Sequence, residues 1–122
     1  MNYQRALELA QAGKPVVLSN SGGRLRYVHF TMTGEGSTQV EVRLMGSMIA
    51  RFCPDHMEFS LAGYDTMTTR DVLRSLVPTG AVWRDKKVTY YYPQGWGHER
   101  YQVGGGWLTV SYGGQVLTEM EA

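Results

Sequence analysis

Turn-forming residues interrupt this chain so often that the space between them is mostly strand-sized. Ser19-Asn20-Ser21-Gly22-Gly23, Thr33-Gly34-Glu35-Gly36-Ser37, Gly46-Ser47, Cys53-Pro54-Asp55-His56, Pro93 to Gly97, Gly104-Gly105-Gly106 and Gly113-Gly114 follow one another at short intervals. Glycine opens left-handed backbone and Pro-Asp favours a type I turn, so each cluster reverses the chain. Connections this short cannot carry a parallel crossover, so the strands between them pair antiparallel. Glycine supplies 15 of 122 residues, about 12% against a usual share near 7%. Eight Tyr and three Trp, mostly in the last third, also favour strands.

The cleanest strand runs from Thr38 to Met45, where Val40, Val42 and Leu44 alternate with Gln39, Glu41 and Arg43. A period of two means one buried face and one wet face. Val16 to Leu18 and Arg24 to Met32 precede it as strands. Met48 to Phe52 and Met57 to Leu61 follow it as a hairpin, with Met57, Phe59 and Leu61 inward and Glu58 and Ser60 outward. Ala81 to Trp83 and Val88 to Tyr92 flank Arg84-Asp85-Lys86-Lys87 as another hairpin. Tyr101 to Val103, Trp107 to Tyr112 and Gln115 to Met120 complete the strands. Two helices interrupt the pattern. Tyr3, Ala6, Leu7 and Ala10 recur at helical spacing until Gly13 and Pro15 stop them. Thr68 with Asp71 reads as a capping box, and Val72, Leu73, Leu76 and Val77 form the apolar stripe before Pro78. The expectation is a single α+β domain over residues 1–122. It has a curved, mostly antiparallel sheet or small barrel-like fold, an N-terminal helix and one short central helix.

Charge and cysteine usage bound the function. Twelve Lys+Arg against eleven Asp+Glu leave a formal charge of +1, which suits neither a strongly basic nucleic-acid module nor an acidic mimic of DNA. No apolar run reaches the roughly 18–20 residues that span a bilayer. The first residues lack a signal-peptide core, and the lone Cys53 cannot form an internal disulfide, so the cytoplasm is the expected setting.

Chemistry-bearing residues do not assemble into a motif. Cys53 and His56 have the local spacing of half a zinc site, but the second pair is missing. Cys53 paired with His29 or His98 would need a positive setting to ionise, and Pro54 withholds an N–H there. Asp55 and Asp71 have turn and cap roles. No catalytic residue, metal or cofactor is therefore expected. The Thr66-Met67-Thr68-Thr69-Arg70 helix start could cap itself or hold a phosphate. Arg24, Arg26, Arg43 and Arg51 lie on neighbouring strands, where outward guanidinium groups would form a stripe.

From Val42 to Pro78 the residues form a longer pattern. It comprises Arg43-Leu44, Gly46-Ser47, a hairpin around Pro54-Asp55, Gly63-Tyr64, and Thr66-Met67-Thr68-Thr69-Arg70. This segment, about a third of the chain, resembles a family of small bacteriophage proteins. It departs from the family pattern at His56 and Ala62, which stand where glycine is usual. Asp65 and Val72 stand where basic residues are common, which weakens any anion site at the helix start. The resemblance implies a phage or prophage origin, and small free-standing phage proteins are often accessory factors that bind host machinery. With no chemistry assembled, the expectation is a non-enzymatic, anti-CRISPR-like inhibitor in the bacterial host cell that covers the surface of a host defence complex, CRISPR–Cas effectors included.

Two surfaces could serve. Tyr90-Tyr91-Tyr92 cannot all point inward on one strand, and the following loop is rich in Gly and rings. Exposed Tyr and Trp make contacts at low entropic cost. The expected partner-binding set is thus Tyr91, Trp96, His98, Arg100 and Tyr101, with Asp65 and Arg70 as further polar contacts. The alternative, from a different class, is nucleic-acid or nucleotide binding through Arg24, Arg26, Arg43 and Arg70.

Overall fold

The computed structural model describes residues 1–19, 26–33, 38–95 and 97–117. Among them the order is α1 (Tyr3–Ala12), β1 (Val16–Ser19), β2 (Arg26–Met32), β3 (Val40–Leu44), β4 (Ser47–Phe52), β5 (His56–Phe59), α2 (Met67–Leu76), β6 (Ala81–Asp85), β7 (Val88–Tyr92), β8 (Tyr101–Gln102) and β9 (Leu108–Ser111). The α+β class and the two helix positions are as the sequence implies. The strands form two antiparallel sheets, β1-β2-β3-β4-β5-β9 and β6-β7-β8. Neither closes, so the barrel-like alternative is replaced by an open six-stranded sheet and a smaller one. The chain leaves the large sheet after β5, builds α2 and the small sheet, and returns as β9 beside β5. No helix among the described residues is long and apolar enough to cross a membrane.

Register explains the core. Across the large sheet Phe30, Val42, Ala50, Phe59 and Leu108 face one another in a row, and Met32, Val40, Phe52, Met57 and Val110 form the next. Nearly all of these are buried, and α1 packs over β2 and β3 on that side. Burying such rows is the main stabilising term of the fold. Val72, Leu73 and Leu76 of α2 join the same cluster with Val82 and Tyr91 of the small sheet.

Local chemistry places the ends. Asn2 caps α1 by accepting from Arg5 N, and Gly13 closes it at φ 70° with its N–H shared between Leu9 and Ala10. Such a left-handed C-terminal glycine is the expected stop. At α2 the cap is Thr66, not Thr68: Thr66 Oγ1 accepts from Thr69 N at 3.2 Å. Asp71 therefore lies beyond the first turn and pairs with Arg74 instead of closing a capping box. Ser60 is also corrected, because it is buried. Its hydroxyl donates towards Gly104 O and Gly105 O at 3.2 Å each, while Leu61 N donates to Gly104 O at 2.9 Å. These bonds join the departing segment to the returning one. Residues 20–25 and 34–37, Trp96, and residues 118–122 lie outside the described residues, including Arg24, Leu25, two of the expected turns and the end of the last strand. Gln115 to Leu117 fold back on β9 through Val110–Val116.

Candidate functional site

Among the described residues the expected aromatic surface loses Tyr91 to the core. Tyr91 is 0% exposed. Its ring meets Phe59 edge-on at 5.2 Å and its hydroxyl donates to Thr79 O at 3.1 Å. Tyr92 is buried as well and Tyr90 is half-buried, so the triplet does not split into one face in and one face out. Arg100 spans the small sheet, donating to Asp85 Oδ2 at 2.8 Å and Tyr92 OH at 3.3 Å while lying 3.8 Å over the Tyr90 ring. These partners hold its guanidinium above its ordinary pKa, the Asp85 bond most of all. Tyr101 is half-buried against the core and donates to Glu99 Oε2 at 2.9 Å. His98 is exposed, and Trp96 lies outside the described residues. Of the C-terminal set, Tyr91, Arg100 and Tyr101 thus act within the protein.

Asp65 and Arg70 are also joined to each other. Arg70 Nη1 donates to Asp65 Oδ1 at 2.6 Å, and the same oxygen accepts from the buried Thr89 hydroxyl at 2.7 Å. The Arg70 side chain is only 11% exposed. This triad ties the entrance of α2 to β7. Burial pushes the Asp65 carboxyl up, but the Thr89 and Arg70 hydrogen bonds and the charges of Arg70 and Arg84 outweigh it, leaving it below 3.8. A lowered folded value stabilises the protein above the unfolded value and is lost as pH falls through the folded one. Asp65→Asn is expected to cost about 1 kcal/mol at pH 7, solvent screening included. The difference should vanish at a pH below the lowered value, where wild type is protonated too. Urea unfolding at both pH values checks this; equal stability at pH 7 would show that the triad contributes nothing.

The arginine stripe is neutralised by register. Thr31, Glu41, Arg51, Glu58 and Thr109 stand in one row across five strands. Arg51 Nε is 2.9 Å from Glu58 Oε1 and its guanidinium lies 4.5 Å over Trp107. Arg43 donates to Glu41 Oε1 at 2.9 Å. Arg26 is half-buried, with its Nε buried and unbonded. Among the described residues this face alternates in sign and forms no continuous positive stripe, while Arg24 lies outside them. Cys53 is buried, and its thiol is pushed up by burial and by Glu58 and Asp55 against the opposing Arg51. Such a thiol is a poor nucleophile at neutral pH. No group of three His, Cys, Asp or Glu among the described residues is placed to hold a metal.

What the fold does bring together lies elsewhere. The β3–β4 turn is Met45-Gly46, both left-handed at φ 51° and 86°. The segment entering α2 contains a second such pair, Ala62-Gly63 at 52° and 84°. Ala62 thus holds a conformation that glycine would adopt without strain. Between the two turns lies a cleft of about 250 Å³. Met45 and Tyr64 flank it, the buried Ile49, Leu61 and Thr69 floor it, and Thr66 closes one side. Met45 is 74% exposed, Tyr64 61% and Met67, next to Thr66, 61%. These are the three most exposed large apolar side chains among the described residues. Sequence reasoning missed them because an apolar residue is first assigned to the core. The Met-Gly pair, which occupies a two-residue hairpin turn where Asn-Gly is favoured, was the available signal.

No family model, curated protein or solved structure matches the chain.

Proposed function

We propose that this protein is a non-catalytic binding module that docks on a partner protein through the cleft between the Met45-Gly46 turn and the start of α2. The observation that carries this reading is Met45. A side chain in left-handed backbone costs roughly 1 kcal/mol relative to glycine. Met45 bears that cost while most of its surface faces water, so its gain lies outside the folding of the domain. Tyr64 and Met67 extend the apolar surface. Met and Tyr are enriched in contact surfaces, the first for its adaptability and the second for its rigid ring with a polar tip. A cleft floored by core residues gives such a contact a fixed shape.

Support for a non-catalytic role comes from the ionisable groups. Cys53 is held as a thiol, and Asp65, Asp71 and Asp85 are paired with arginines. The resemblance to small bacteriophage proteins makes host defence assemblies, CRISPR–Cas effectors included, the first partners to test, with occlusion of a surface as the mode of inhibition.

Quantitative affinity capture from the host tests the reading. Wild type and a control altered at the far edge of the sheet, Val17→Thr with Tyr27→Ser, should retain the same partner. Met45→Asp with Tyr64→Ser should reduce its recovery about tenfold or more, the loss expected when central contact residues are removed. Equal recovery by the cleft variant would overturn the site.

A further inference from the structure

The β6–β7 hairpin carries Arg84, Lys86 and Lys87, and none of them forms an ion pair among the described residues. Asp85, the acid among them, is taken by Arg100. Elsewhere Arg43 and Arg51 of the large sheet and Arg70 and Arg74 of α2 have carboxylate partners. Lys14 and Arg26 also lack an ion pair among the described residues, but this hairpin is where three such charges stand together.

That hairpin overhangs a second cleft, of about 240 Å³, lined by Lys87, Thr89, Gln102, Gly104, Gly105 and Asp65. Arg84 stands opposite Thr89 in the β6–β7 register and acts electrostatically on Asp65. Asp65 is itself paired with Arg70, so Lys87 on the lining and Arg84 on the neighbouring strand give the cleft and its rim a positive surplus. The opposite wall is backbone. The carbonyls of Gly104 and Gly105 accept from Ser60. In a planar trans peptide the N–H points opposite to the carbonyl, so the N–H groups of Gly105 and Gly106 point away from Ser60. A Cβ at any of these glycines would meet nothing within 4 Å, so a ligand can approach the backbone closely. Lys87 is held left-handed at φ 76°, a second place where a long side chain occupies a conformation that glycine prefers.

We infer that this cleft binds an acidic peptide segment, with carboxylates received by Arg84 and Lys87 and by the glycine backbone. A carboxylate on donors of this kind forms charge-assisted hydrogen bonds. A nucleic-acid strand fits less well. A strand needs an extended positive groove with rings to stack on. Trp83, the exposed ring nearest in sequence, lies under the Arg74 guanidinium at 4.4 Å. The two clefts adjoin across residues 61–66 and share Leu61 in their linings, but Met45 and Tyr64 belong to one and Lys87, Gly104 and Gly105 to the other, so variants test them independently.

The test is an amide chemical-shift titration of the whole protein with a blocked hexaglutamate peptide. Saturable shifts are expected at Lys87, Thr89, Gly104 and Gly105, weakening as salt is added. Arg84→Glu and Lys87→Gly should each lower affinity about fivefold or more. Lys87→Gly also relieves the backbone, so loss of binding there cannot come from unfolding. Lys14→Glu, on the α1–β1 connection, should leave affinity unchanged. Three results would overturn the site: no saturable shift at these amides, unchanged affinity in Lys87→Gly, or tighter binding of an oligothymidylate at the same amides.

Discussion

Tyr91→Ala is expected to destabilise the protein by about 4 kcal/mol, within the range for emptying a buried aromatic site. The ring is fully buried, packs edge-on against Phe59 and links the two sheets. Such ring pairs add to the area they bury. Tyr91→Phe keeps the ring and loses the hydroxyl that donates to Thr79 O, so it should cost only about 1–2 kcal/mol. The phenol adds a pH signature. Burial raises its pKa above 10.0 against the opposing Thr79 hydrogen bond. The folded state therefore holds this proton more tightly than the unfolded state. The contribution is complete below pH 10 and is lost as pH rises through the raised value, a loss that Tyr91→Phe should not show. Urea unfolding of the three proteins reads all of this. A cost below about 1 kcal/mol for Tyr91→Ala would return the ring to the surface.

Gly80→Ala is expected to be at least as damaging, above about 3 kcal/mol, from strain and overlap together. Gly80 has φ 74°, and an added Cβ would overlap Tyr92 O and the Pro93 carbonyl group. Those are backbone atoms and cannot rotate aside. They are also held in place, because Thr79 Oγ1 donates to Pro93 O at 2.9 Å and Gly95 N to Tyr92 O at 3.1 Å. Gly46 is the matched control, with φ 86° but open space around the missing Cβ. Gly46→Ala should cost only the backbone term, about 1 kcal/mol. Thermal melts followed by circular dichroism separate the two. Equal melting of both variants would mean that the close approach of Thr79-Gly80 to Tyr92-Pro93 is not made.

Which features were legible follows from the range of the forces that set them. Val40, Val42 and Leu44 were placed correctly because their alternation with Glu41 and Arg43 is local, and Gly13 marked the end of α1 for the same reason. Tyr90 to Tyr92 carry no alternation, so their orientation is set by Phe59, more than thirty residues away. Thr66, Thr68 and Thr69 offer competing caps, and the choice follows from Asp65 bonding to Thr89, 24 positions along. Ser60 looked like an outward polar residue until Gly104 and Gly105 returned beside it. The arginine stripe failed on register, since only the pairing of β3, β4 and β5 puts Glu41 and Glu58 on either side of Arg51. Met45 was hidden by its own character, since an apolar residue is first assigned to the core.

Whether Met45 serves a contact and not the fold can be tested without knowledge of the partner, by the stability of Met45→Asn. Asparagine tolerates left-handed backbone and suits the first position of this turn. If the methionine contributes nothing to the core, urea unfolding should show the variant equal to wild type or more stable by about 0.5–1 kcal/mol. A loss of about 1 kcal/mol or more would show that Met45 packs for the protein's own stability, and the docking reading would fall with it.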